Sequence, residues 1–285
     1  MQEEYNPHKP DALGFIPGVY NYCDRWCQKC RFIRQCRVGA VDADELRDED
    51  EDEVALEKVE GNVQRFDRMM DDLSKMQEQE REEKGEESDD EDDGIDWDAL
   101  NEEPTEEEMA DYHKRDEEVR AKVKAHPLTN MSETYMDLCH EWLEAKAETL
   151  KARGIDQTRR YELQLVPLAP NDLLLKEAVE EIAWFMTMLP VKTNRCIRGK
   201  IEDPDFMERI GLDPLMSDEN GTAKLTLHIV DRCREAWTAI AELMPEEQAA
   251  AVPILELLRR HEALMREEFP DAEKFIRPGF DAPKA

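Results

Sequence analysis

Between residues 222 and 244 the apolar side chains Leu225, Ile229, Val230, Cys233, Trp237, Ile240 and Met244 recur at helical spacing, so this segment is built to bury one face of a helix. Similar stripes run along most of the chain. Leu175, Val179, Ile182, Phe185, Met186 and Leu189 follow Asn171, a residue suited to an N-cap. Tyr135, Leu138, Trp142 and Leu143 mark a helix over 132–153 that Gly154 would close. Thr105 and Glu108 form a capping-box pattern ahead of Met109, Tyr112 and Val119. A last helix leads from the turn at Pro245 and Glu246 to about Phe269, carrying Val252, Leu255, Leu258 and Met265. No stretch alternates at period two and no repeat has solenoid spacing, so the expected fold is all-α, a multi-helix bundle.

Prolines interrupt two of these stripes. Pro190 predicts a kink or break, with the helix ending near Gly199, and Pro253 breaks the pattern of the last helix. Asp203 before Pro204 predicts one more short helix.

Charge divides the chain more sharply than hydropathy. Of 70 acidic and 38 basic residues, 36 and 9 fall within 42–118, while 1–41 holds 4 and 6. The expected divisions are a four-cysteine module at 14–38, an amphipathic acidic helix at 53–84, a disordered acidic linker at 85–104, a helical bundle at 105–270 and a tail at 271–285. In the acidic helix Leu56, Val59, Val63, Phe66, Met70 and Leu73 keep a 3,4,3,4,3 spacing, a seam for packing or for a coiled coil. The run at 85–94 has no apolar residue to offset its ordering entropy, and Ile95, Trp97 and Leu100 beyond it form a short docking pattern.

A net charge of −32 repels nucleic acid and anionic membranes, which leaves a protein partner, preferably basic, as the expected one. No apolar run is long enough to span a bilayer and the N-terminus lacks a secretory pattern, so a cytoplasmic protein is expected.

Four of the seven cysteines lie within fourteen residues, Cys23, Cys27, Cys30 and Cys36, in the form C-x3-C-x2-C-x5-C. Thiolates at this density suit ligation of one centre better than a disulfide framework. Zinc takes four thiolates in a closed tetrahedron and a 4Fe-4S cubane takes four as well, so zinc is the first expectation and the cluster its alternative. Arg25, Lys29, Arg31, Arg34 and Arg37 favour thiolate, and Tyr22, Trp26, Phe32 and Ile33 can shield one side.

Residues 23–30 share the spacing of radical-SAM enzymes, but no strand–helix alternation follows, and Cys36 would fill the iron position that such a cofactor needs. The remaining cysteines, Cys139, Cys196 and Cys233, sit in apolar stripes as small buried hydrophobes. Lys192, Arg195, Arg198 and Lys200 read as a basic patch at a helix end. No nucleotide-binding loop, nucleophile elbow or His-Glu-x-x-His pattern is present. Three functions are thus expected in order: a zinc-stapled protein acting through macromolecular contacts, an iron–sulfur redox protein using the same cysteines, and an enzyme with a pocket in the helical core around His228, Asp231 and Arg232.

The start IPGVYNYCDRWCQKC, the stretch NGTAKLTLHIVDRCREAW and the ending FPDAEKFIRPGFD resemble those of a family of uncharacterised bacterial proteins. The resemblance covers both ends and the core helices. It implies that the cysteines act together and implies no activity.

Overall fold

A computed structural model describes residues 9–11, 13–40, 105–155, 168–202 and 206–281. The seam at 53–84, the acidic linker and the Trp97 pattern lie outside them. The chain divides into two compact units, residues 1–42 with 112–285, and residues 43–111. Of the second, only the first residues of a helix are described. All regular structure among the described residues is helical, as the stripes require.

Six α-helices are described with both ends, α1 Glu106–Ala125, α2 Pro127–Ala152, α3 Pro170–Glu202, α4 Phe206–Arg209, α5 Asp218–Leu243 and α6 Gln248–Glu268, and residues 37–40 are helical as well. The capping box forms in full, Glu108 N–H donating to Thr105 Oγ1 and Thr105 N–H to Glu108 Oε2 at 3.3 and 2.9 Å. α2 begins five residues ahead of expectation, because Pro127 takes the first helical position and His126 caps Leu128 N–H. It ends in a Schellman motif: Gly154 at φ +78° donates to Lys151 O and Ile155 to Leu150 O, with both apolar side chains buried.

α2, α3, α5 and α6 close a four-helix bundle, in which α3 meets α5, α5 meets α6, and α2 bridges α3 and α6. Every apolar residue named for the α5 stripe is buried, from Leu225 to Met244. α3 departs from expectation. It continues through Pro190 and past Gly199, because Leu189, Pro190, Cys196 and Ile197 are all buried and that packing offsets the roughly 3 kcal/mol that an interior proline costs. α6 likewise contains Pro253, and Val252, expected inside, is exposed. The buried face there is Ala251, Ile254, Leu258, His261 and Met265.

The two ends of this unit meet. Ile16, Val19 and Cys36 form a small apolar cluster of their own, closed by Tyr20, Phe32, Val38 and, from the far end of the chain, Phe280. Residues 271–281, expected as a tail, are a wall of the cysteine module. Lys224 of α5 anchors them by donating to Phe275 O at 2.6 Å and pairing with Asp281 at 2.7 Å.

Candidate metal centre

The cysteine segment folds as two short 3-10 turns, Cys27–Lys29 and Ile33–Gln35, joined by a turn at Arg31 and Phe32. Each turn ends on a cysteine. Cys30 N–H donates to Cys27 O at 3.1 Å, which curls the C-x2-C loop, and Ala40 N–H donates to Cys36 O at 2.9 Å as a helix opens. Backbone amides already point at sulfur: Phe32 N–H at Cys30 Sγ and Gly39 N–H at Cys36 Sγ, both at 3.4 Å. Amides aimed at sulfur stabilise thiolate more than thiol. Arg25, between Cys23 and Cys27, holds φ at +55°, a conformation that costs a non-glycine residue about 1 kcal/mol. The Cys23 thiol donates to Tyr20 O at 3.5 Å.

All four cysteines line one small cavity of about 20 Å³. Val19, Trp26, Phe32, Ile33 and Phe280 complete its largely apolar wall. Cys36 is buried and the other three are half-buried. Burial pushes the Cys23 and Cys30 thiols up, against the pull of the amides beside them. Among the described residues, no three Cys, His, Asp or Glu side chains are gathered tightly enough to hold a single ion.

Trp26 anchors the segment to the bundle. Its ring stacks on Trp184 of α3 at 5.3 Å and 16°, meets Phe185 edge-on at 5.9 Å, and carries Lys29 Nζ over its outer face at 3.8 Å. Trp184 Nε1–H donates to Asp24 O at 2.9 Å. Arg232 of α5 bridges the module and the bundle, pairing with Asp24 at 2.7 Å and with Glu181 of α3. Lys29 pairs with Glu180 at 3.1 Å. The sequence singled out Trp26, Lys29 and Arg232, but not Asp24, Glu181 or Trp184; their roles arise where separate elements meet.

The basic patch expected at the end of α3 does not exist as a patch. Arg195 forms a bidentate pair with Asp218, Arg198 bridges Asp116 and Glu202, Lys200 reaches Glu268, and Lys192 turns inward. Helical spacing spreads the four around the axis, and each meets a different neighbour. Cys139, Cys196 and Cys233 are fully buried, and burial pushes the first two up to about 12 and the third higher still. They are inert core residues, as expected.

Of the enzyme candidates, Arg232 lines an open groove between α3 and α5 with Glu177, Glu181, Glu235 and Glu242, but both its ends are engaged by carboxylates. His228 and Asp231 do not line that groove and lie exposed on α5, where partial desolvation and the nearby Arg277 and Arg232 push the His228 pKa down. Of the three, Arg232 alone lines that groove.

No family model, curated protein or solved structure matches this chain. No described helix is long and apolar enough to cross a membrane.

Proposed function

We propose that Cys23, Cys27, Cys30 and Cys36 hold one metal centre of cubane iron–sulfur type, and that the protein is a redox protein whose centre fastens its two ends to a helical bundle. The observation that carries this reading is the arrangement of the thiols. They line one largely apolar cavity, and backbone amides already aim at Cys30 Sγ and Cys36 Sγ. Four thiolates are the ligand set of a cubane.

The surroundings support the same reading. An apolar wall and amide–sulfur hydrogen bonds are levers by which a protein sets the potential of such a cluster. When bound, the cluster would accept and release one electron. The chain's own residues would hold it, shield it through Trp26, Phe32 and Phe280, and leave the half-buried Cys23, Cys27 and Cys30 toward an electron-exchanging partner.

Structural zinc is the second reading, favoured by the single C-x2-C knuckle whose 3-10 turn is already formed at Cys27 and Cys30. In that case the protein acts through macromolecular contacts alone. Metal analysis and a visible spectrum of protein purified without oxygen and without a metal-binding tag decide between them. Iron, sulfide and a broad absorption near 400 nm that bleaches on reduction are expected. About one zinc per chain and no colour select the staple, and a chain with neither metal refutes the site.

A further inference from the structure

Several carboxylates of α3 and α5 are matched by cations: Glu180 meets Lys29 and Lys176, Glu202 meets Arg198, and Asp218 meets Arg195. The groove between the two helices is different. It holds about 320 Å³, and Glu177, Glu181, Glu235 and Glu242 line it with Arg232 as the one cation among its lining residues. Four carboxylates against one guanidinium leave a net charge of −3. Glu177, Glu235 and Glu242 are exposed and have no hydrogen bond or ion pair among the described residues. Arg232 is shared between Glu181 and Asp24, and Glu181 Oε2 stays buried without a partner.

Between these carboxylates the groove is apolar. Ala178 of α3 and Ala236 and Ala239 of α5 line it, and their short side chains leave the channel open, with Leu174 and Leu243 beside them. From Arg232 to Leu243 the α5 wall runs about 16 Å, at 1.5 Å per residue. Glu235 and Glu242 stand two helical turns apart on it, about 10 Å along the axis. A single metal ion, which binds carboxylate oxygens at about 2.0 to 2.6 Å, cannot reach both. A chain with several positive charges along an aliphatic stem can, because each ammonium meets a carboxylate while the methylenes lie over the alanines. The volume of the groove falls within the range of about 300 to 1,000 Å³ that small-molecule sites occupy.

We propose that the groove between α3 and α5 binds a linear aliphatic polyamine, a small cation with amines spaced along a methylene chain. Glu235 and Glu242 receive amines two turns apart on the α5 wall, Glu177 receives one from the α3 wall, and Ala178, Ala236 and Ala239 carry the stem. Alkylamines are protonated at neutral pH, as the lysine side chain is, so binding needs no proton transfer and no covalent step. The site is separate from the cysteine cavity, with which it shares no lining residue, and its occupancy requires no metal there.

The test is calorimetric titration of spermidine into the full chain at about 0.15 M salt, where exposed charges further apart than about 8 Å are largely screened. One saturable site per chain is expected. Glu235→Gln combined with Glu242→Gln should weaken it on the order of 100-fold, about tenfold for each charge-assisted contact removed. Ala239→Leu fills the channel without altering charge and should weaken it as well. Glu117→Gln combined with Glu118→Gln removes the same charge from the exposed face of α1 and should leave the affinity unchanged. Melting temperatures establish that each variant is folded. Absence of a saturable site, binding that neither groove variant weakens, or an equal loss in the α1 variant overturns the proposal, the last by showing a general counter-ion effect. Displacement of spermidine by equimolar magnesium, or tighter binding of a tetralysine peptide, overturns the choice of ligand in favour of a metal ion or a basic protein segment.

Discussion

Replacing Gly221 by alanine should destabilise this protein, although the same change in an open helix would stabilise it. Gly221 is the fourth residue of α5, beyond the Ser217 cap, where alanine ordinarily gains about 1 kcal/mol over glycine. Here an added Cβ would stand 2.5 Å from Tyr22 Cε1 and 2.7 Å from Phe275 Cζ. Neither ring can move cheaply. They meet edge to face at 4.6 Å, Phe275 is 2% exposed, and Lys224 holds its carbonyl. Overpacking costs typically 1 to 3 kcal/mol, and two contacts below 3 Å against pinned rings place Gly221→Ala near the upper figure, so the net loss is about 2 kcal/mol.

At roughly 2 to 4 °C per kcal/mol for a domain of this size, the melting temperature should fall by about 4 to 8 °C. Tyr22 adjoins Cys23, so alkylation of the module's thiols in metal-free protein should accelerate at the same time. A calorimetric melt read beside thiol labelling checks both effects. A Gly221→Ala variant that melts higher than the wild type would refute the packing of Tyr22 and Phe275 against α5, and with it the close seating of the cysteine segment.

His261 provides a pH test: burial lowers its pKa from the ordinary 6.5 to about 4, so between these values the unfolded chain takes up a proton that the folded chain refuses. Its contribution is complete above pH 6.5 and declines as pH falls to about 4, by about 3 kcal/mol at 1.36 kcal/mol per pH unit; urea midpoints should show this slope, and His261→Gln should flatten it. Arg232→Met should cost about 2 kcal/mol, because it strands Asp24 and Glu181, whose Oε2 is already buried without a partner; adding Glu181→Gln should recover part of the loss, and additivity in that double-mutant cycle would disprove the coupling. In native metal-free protein a thiol reagent should label Cys23, Cys27 and Cys30 quickly, the buried Cys36 more slowly, and Cys139, Cys196 and Cys233 only on unfolding; fast labelling of all seven would contradict this core.

Helix identity in the bundle was legible in the sequence because apolar period and caps are local properties. The α5 stripe, the Thr105 capping box and the Gly154 terminus each need only residues within one or two turns of each other, and all three form. The cysteine spacing likewise marked four residues that the fold turns toward one cavity. Local rules misled at Pro190 and at the basic patch, since the long burial of α3 and the partners of Arg195, Arg198 and Lys200 come from other elements.

What only the tertiary structure decided is how the module is held and charged. Residues about 250 positions apart in sequence, Phe32 and Phe280, close one apolar cluster; α3 and α5 supply the seat for Trp26; and Lys192 leaves its expected patch and is buried. Sequence spacing assigns a residue to a face of its own helix, but which foreign side chain then covers that face depends on how helices pack, and packing is a property of the whole chain.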